Sequence, residues 1–285
     1  MSFQTGITLA KASFAVVRVN RFLFLFPAIN AITTLILFML ALIPLLHLEA
    51  FAWERGGSLT GKMYLEFFLI LIIFFYAANF ITLLFNVGLI ACVLSRLQQK
   101  PATLAMGFHC MKKRWLTLML WTLVVTLLGS LIRILESWVE KWFTFNKVNQ
   151  YLAGLTWFFA CFFVLPVLAA ENVNQFQAVT RSAHLMKNTW GTSLAPRFGI
   201  GLFIFFVRVM SLIPLIAGFM IATKMTAIIG SSITMILFLA TTILNSTTQV
   251  ISVSALYLYA IDHKNTDTFY DGELLKHAFH REVRS

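Results

Sequence analysis

The chain has 285 residues, 59% hydrophobic and 12% charged, with a mean hydropathy of +0.83 and a formal net charge of +11. That composition excludes a soluble globular domain. The basic surplus flanks apolar runs and builds no domain of its own, which argues against a nucleic-acid partner.

A hydrocarbon core of about 30 Å calls for roughly 20 apolar residues of helix, and six stretches qualify, at 22–46, 64–94, 115–135, 151–170, 194–222 and 226–259. They lack the apolar/polar alternation of barrel strands, so the expected fold is all-α. The expected architecture is a polytopic bundle of six transmembrane helices with interfacial amphipathic helices, in one domain over 1–261 followed by a tail over 262–285. Lys11, Arg18 and Arg21 lie inside or just before the first apolar run with no cleavage site after it, so the N-terminus is not read as a cleavable signal.

In chain order, the first amphipathic stretch carries Ile7, Ala10, Phe14 and Val17 on one face and leads into span 22–46, which holds Pro27 and Pro44. The second, after span 64–94, carries Leu104, Phe108, Met111 and Trp115. The third carries Phe176, Val179, Ala183, Met186 and Trp190 at steps of three and four, with Asn174, Gln177, Arg181, His184 and Asn188 on the opposite face. Aligning Ser13, Gly107 and Ser182 brings Arg18, Lys112 and Lys187 into register, an internal repeat over approximately 1–95, 96–170 and 171–261. Each stretch is expected to lie in the headgroup plane, apolar face down, and to turn sharply into its span. Pro27 and Pro196 support that turn in the first and third copies, and the paired Leu-Ile-Pro-Leu runs at Pro44 and Pro214 predict like kinks in spans one and five.

Short loops rich in Lys and Arg stay on the cytoplasmic side. One face collects Lys11, Arg18, Arg21, Arg96, Lys100, Lys112, Lys113, Arg114, Arg181, Lys187, Arg197, Lys264, Lys276, Arg281 and Arg284. Opposite stand Arg55, Lys62, Arg133, Lys141, Lys147 and Lys224, beside Glu49, Glu54, Glu136 and Glu140. The expected location is the inner (cytoplasmic) membrane, multi-pass, with both termini cytoplasmic. Arg18, Lys112, Lys187, Trp115 and Trp190 would anchor the lipid interface, with membrane lipids, anionic ones above all, as partners. A homo-oligomer or a second membrane protein is a further candidate partner.

Ionisable and amide side chains at membrane depth are functional candidates. Arg208, between Val207 and Val209, either pairs with Glu66, Asn79, Asn86, Asn245 or Gln249 or snorkels to the outer interface. Span six carries Asn245-Ser246-Thr247-Thr248-Gln249, then Ser252 and Ser254, a polar density that reads as interhelical glue or as the lining of a wet path. At the inner face Glu171, after Pro166, precedes the third amphipathic stretch with Arg181 and Ser182, and a basic residue of another copy is a candidate partner for it. His109 and His184 fall at aligned polar positions, and His277 with His280 in the tail are read as solvated, so no metal is assigned. Cys92, Cys110 and Cys161 show no paired spacing and read as free thiols. No zincin, phosphate-loop or nucleophile-elbow motif is present, so neither catalytic residues nor a cofactor are assigned and the chain is read as not an enzyme.

Phe85-Asn86-Val87-Gly88-Leu89-Ile90-Ala91, Pro166-Val167-Leu168 with Glu171, Ala178, Arg181-Ser182, Leu185 and Trp190-Gly191, and Ala255-Leu256-Tyr257-Leu258-Tyr259-Ala260 resemble a family of prokaryotic six-span membrane proteins known as a domain of unknown function. The Pro…Glu…Arg-Ser…Trp pattern is also similar to that in membrane domains of some glycerophosphodiester phosphodiesterases, where it belongs to the non-catalytic membrane part. The resemblance implies the fold, cytoplasmic termini and no known catalytic residues. The Gln98-Gln99-Lys100 turn departs from it, standing where the resemblance leads one to expect a glycine-containing acidic segment. Two functional readings follow: a non-enzymatic inner-membrane scaffold or envelope-homeostasis protein interacting with anionic lipid, and a transporter of a small molecule or lipid through a polar path between repeats.

Overall fold

A backbone that leaves water must satisfy its N–H and C=O groups internally, and local i to i−4 hydrogen bonds do so within one segment. In the computed structural model the described residues, 20–54, 61–142, 160–190, 209–221 and 224–261, form helices and short connections and no strand. A 3-10 turn over Arg21–Phe24 leads into α1 (Leu25–Glu54), followed by α2 (Gly61–Leu97), α3 (Leu104–Trp142), α4 (Val164–Ala170), α5 (Gln175–Trp190), α6 (Ile213–Met220) and α7 (Lys224–Ile261). Among the described residues, Arg21–His47, Gly61–Leu97 and Ile228–Ile261 are long and apolar enough to cross a membrane. Their apolar surface is largely uncovered, as expected of helices whose solvent is lipid. The described residues are thus all-helical, with three helices of the length and composition of a membrane protein. α3 covers the predicted span 115–135, whereas spans 151–170 and 194–222 fall only partly within the described residues.

The bundle is organised around α2, which packs against α1, α3, α4 and α7. Its second half supplies the centre of the core, with Val87, Leu89, Cys92 and Val93 fully buried among Phe26, Leu118, Phe163, Val167, Ile251 and Tyr257. Close approach of α2 and α3 depends on two glycines. A Cβ on Gly88 would lie 2.7 Å from Met111 Sδ and 2.9 Å from the Phe26 ring, and one on Gly107 would lie 3.0 Å from the Gly88 carbonyl oxygen. Small residues let backbones of membrane helices meet in this way. The same device joins α6 to α7, where a Cβ on Gly218 or Gly230 would stand 3.2 Å from the other's Cα.

Local chemistry sets the helix ends. α2 closes with Gln99 in the left-handed region (φ 59°), the Gln99 N–H donating to Arg96 O at 3.0 Å and the Lys100 N–H to Ser95 O at 2.9 Å. This is the double-bonded helix terminus that glycine ordinarily occupies. Thr103 caps α3 by accepting the Met106 N–H at 3.3 Å. Asn174 and Gln177 cap α5 reciprocally, at 2.9 and 3.2 Å.

Two sequence expectations are corrected. The middle amphipathic stretch does not turn sharply into its span, because Leu104–Trp142 is one helix with no proline at the junction. Pro44 and Pro214 do not play like parts: Pro44 lies inside α1, whereas Pro214 sits in the first turn of α6 after the turn Ser211–Leu212. Pro at a helix start loses no intrahelical bond, while inside a helix it removes one. α5 packs on the bundle along a face beside its apolar stripe. Ala178, Ser182, Leu185 and Met186 are buried, while Phe176 is 65% exposed, so the packed seam lies about a quarter turn from the stripe at 3.6 residues per turn. Aligned positions of the second and third stretches nonetheless share their environment: Gly107 and Ser182 are buried, as are Met111 and Met186, whereas Lys112 and Lys187 are exposed. The first stretch, residues 1–19, and the tail from residue 262 lie outside the described residues.

Candidate functional site

Chain direction brings the start of α1, the end of α2, the start of α3, the α4–α5 junction and the end of α7 to one end of the bundle. At its centre is Glu171, the extended residue that ends α4 (φ −104°, ψ 146°). Its N–H donates to Val167 O at 2.7 Å. Its carbonyl accepts from Arg114 Nη2 at 2.6 Å, and its Oε1 accepts from Tyr257 Oη at 3.0 Å and from Arg181 Nε at 3.2 Å. Four helices are thus tied to one residue. Arg114, only 9% exposed, answers the expectation of a basic residue from another copy, but it binds the backbone oxygen, and the carboxylate pairs with Arg181 of its own stretch. Charge-assisted bonds of this kind are short and roughly twice as strong as neutral ones.

Beside the junction Ser182 is fully buried, and its Oγ accepts the Phe163 N–H at 2.9 Å, holding α5 to the residue that precedes α4. Cys110 Sγ donates to the Ala169 carbonyl at 3.8 Å. Burial pushes its thiol above the ordinary range, against the opposing pull of Arg114 and Lys113, so the thiol stays protonated at neutral pH. Next to Glu171 opens a cavity of about 980 Å³ bordered by Ser95, Gln98, Lys100, Glu171, Arg181 and Tyr257. It offers two cations, one carboxylate, amides and hydroxyls. Among further basic side chains near this end Arg21, Lys112, Lys113 and Lys187 are exposed, as is Trp115, whereas Arg96 is half-buried. Arg18, with the rest of residues 1–19, and the side chain of Trp190 lie outside the described residues.

A second polar place lies deeper. α1, α2 and α7 enclose a cleft of about 600 Å³ bordered by Asn30, Thr34, Thr82, Asn86, Asn245 and Gln249. The structure therefore brings together Asn86, Asn245 and Gln249 of the predicted intramembrane set. It leaves Asn79 outside, exposed and donating to Phe75 O of its own helix at 2.8 Å. Arg208 lies outside the described residues, and its candidate partner Glu66 meets Lys62 at 3.9 Å. On α7, Thr247, Thr248, Ser252 and Ser254 each donate to the carbonyl four residues back at 2.7–2.9 Å. Asn30, Thr34 and Thr82 are site residues that sequence reasoning missed, although a lone amide within the apolar run of span one is a signal for Asn30. Likewise Arg114 and Tyr257 were visible only as an interface cation and a motif aromatic.

Among the described residues no group of three or more His, Cys, Asp or Glu side chains could hold a metal ion. No curated protein and no solved structure matches the chain. One family model does match, over residues 65–267, a stretch that runs from the start of α2 past the end of α7 and takes in the Glu171 junction and, but for Asn30 and Thr34, the cleft's polar residues, and by that match the chain belongs to a family of unknown function (DUF6159).

Proposed function

We propose that this protein is a non-enzymatic, multi-pass scaffold of the inner membrane that engages anionic lipid headgroups at its basic end, with six spans and both termini in the cytoplasm. The observation that carries the reading is the exposed cluster of Arg21, Lys100, Lys112, Lys113, Arg181 and Lys187 at one end of helices whose apolar flanks are open. Each such cation near an anionic membrane surface contributes about 1 kcal/mol of attraction. The contacts of Glu171 with Arg114, Arg181 and Tyr257, which join four helices, support a structural role for this junction. The shared burial of Gly107 with Ser182 and of Met111 with Met186 supports a repeat.

The test uses the full chain in nanodiscs of mixed phosphatidylglycerol and phosphatidylcholine. Enrichment of phosphatidylglycerol around the protein, measured by extraction and mass spectrometry, is expected to fall when Lys112, Lys113 and Lys187 are all replaced by Gln. Enrichment unchanged by the triple substitution refutes the reading. Reporter fusions at the two termini are expected to place both on the cytoplasmic side. The second reading, a transporter, draws on the amide-lined cleft between α1, α2 and α7. Uptake of labelled solutes by proteoliposomes tests it, and a library of polar solutes excluded as completely as by empty liposomes removes it.

A further inference from the structure

The cleft between α1, α2 and α7 contains hydrogen-bonding groups that its own walls do not satisfy. Gln249 Nε2 donates to Asn245 Oδ1 at 2.9 Å, and Thr82 and Thr34 reach Asn30 Oδ1 at 3.4 and 3.5 Å. Asn30 Nδ2, Asn245 Nδ2 and the whole Asn86 amide have no partner among the described residues. All three helices are long and apolar enough to cross a membrane. Asn86 stands eleven residues before the end of α2, about 16 Å along the axis at 1.5 Å per residue, well inside a hydrocarbon core about 30 Å thick. Amides left without partners at that depth are costly, and they call for either ordered water or a bound molecule.

The walls define which molecule. No Asp, Glu, Lys, Arg or His among the described residues borders the cleft, so these walls offer an entering ion no counter-charge and favour an uncharged ligand. The unsatisfied groups are mainly N–H donors, which select a ligand bearing acceptors. Phe38, Phe74 and Phe238 supply an apolar wall against which alkyl chains can lie. We propose that this cleft binds an uncharged glyceride lipid, a diacylglycerol-type molecule whose ester carbonyls and hydroxyl accept hydrogen bonds from Asn30, Asn86 and Asn245 while its chains run along the aromatic wall. The assignment requires that the chain lie in a membrane. It requires neither a transport step nor the anionic-lipid engagement at the basic end.

The experiment uses the full chain in nanodiscs doped with diacylglycerol carrying a diazirine in one acyl chain close to the ester. After irradiation, the attachment sites are mapped by peptide mass spectrometry. A parallel arm carries the same diazirine chain on phosphatidylglycerol. Expected is diacylglycerol labelling concentrated on α1, α2 and α7 around the cleft and competed by unlabelled diacylglycerol, with phosphatidylglycerol labelling there about tenfold lower, since the loss of even one well-made polar contact to a ligand is about that factor. In Asn86→Leu with Gln249→Leu the cleft labelling should fall to the phosphatidylglycerol level. Should that pair lower the melting temperature, Ser246→Phe, which fills the cleft from its rim, is the deciding variant and should have the same effect. Equal labelling by both lipids, labelling that survives Ser246→Phe, or an unlabelled cleft holding water alone overturns the proposal. Failure of the anionic-lipid reading would appear separately, as phosphatidylglycerol enrichment that the triple substitution of Lys112, Lys113 and Lys187 leaves unchanged, with the cleft labelling intact.

Discussion

The two halves of α2 have similar apolar composition and opposite surroundings. From Leu65 to Phe75 the helix is open, with Ile72, Ile73 and Phe75 all more than half exposed, whereas from Val87 to Val93 it is nearly sealed. Hydrophobicity does not distinguish them. Shape does: the sealed half places Gly88, Ala91 and Ser95 at steps of three and four, and against these small residues α1 and α3 come close, while the open half presents Phe67, Phe68, Ile72 and Phe75, whose bulk suits lipid chains. The dense half also lies at the end where Glu171 joins four helices and where the basic side chains gather. Rigidity and charge are therefore concentrated in the same part of the molecule.

The comparison is broken most severely by truncating a sealed side chain. Leu89→Ala should cost about 2–5 kcal/mol, the range for a buried leucine whose cavity cannot collapse. The check is loss of thermal stability in a fixed detergent or failure to purify as a single species. Ser182→Ala should cost about 1 kcal/mol, because it removes the buried hydroxyl that accepts the Phe163 N–H. Tyr257→Phe removes one of the two donors on the Glu171 carboxylate and should cost about 1 kcal/mol, with Arg181 retaining the charge pair. A Tyr257→Phe protein as stable as the parent would mean that the carboxylate is held by Arg181 alone.

How much of this was legible in the sequence depended on whether a feature is carried by one helix or by the encounter of several. The apolar length of α1, α2 and α7 is a property of single segments, and it predicts them directly. Arg181 and Glu171 lie ten residues apart on either side of a connection and could be suspected as a pair. Arg114 and Tyr257, 57 and 86 residues from Glu171, belong to the same junction only because α2 and α4 bring the ends of α3 and α7 together. The α5 packing seam was not legible for a related reason. Amphipathic periodicity ranks Ser182 as polar, whereas the structure uses it as a small residue whose hydroxyl is needed inside. Asn30 was overlooked because one amide hardly changes the hydropathy of a long apolar run.

A smaller effect of opposite sign sharpens the comparison at the dense end. Gln99 holds a left-handed conformation that costs a non-glycine residue about 1 kcal/mol or somewhat more, and the bonds from the Gln99 and Lys100 N–H groups keep it there. Gln99→Gly should raise stability, by less than that strain because glycine also loses more entropy on folding. The turn would then have the glycine that the family resemblance leads one to expect. A melting temperature that falls on this substitution would show that the Gln99 side chain holds the rim of the 980 Å³ cavity it borders.

The smallest effect belongs to the open half. Ile73→Ala removes as many apolar atoms from α2 as Leu89→Ala does, yet its side chain meets detergent or lipid in the folded state as it would in an unfolded membrane-inserted helix. The transfer contribution therefore nearly cancels, and the expected change is within about 0.5 kcal/mol, the range of substitutions away from packed features. The pair forms a ratio that does not depend on the absolute stability scale of the detergent. If Ile73→Ala proves as damaging as Leu89→Ala, the open half is covered in the native membrane by another helix, from this chain or a neighbour, and the contrast between the two halves of α2 disappears.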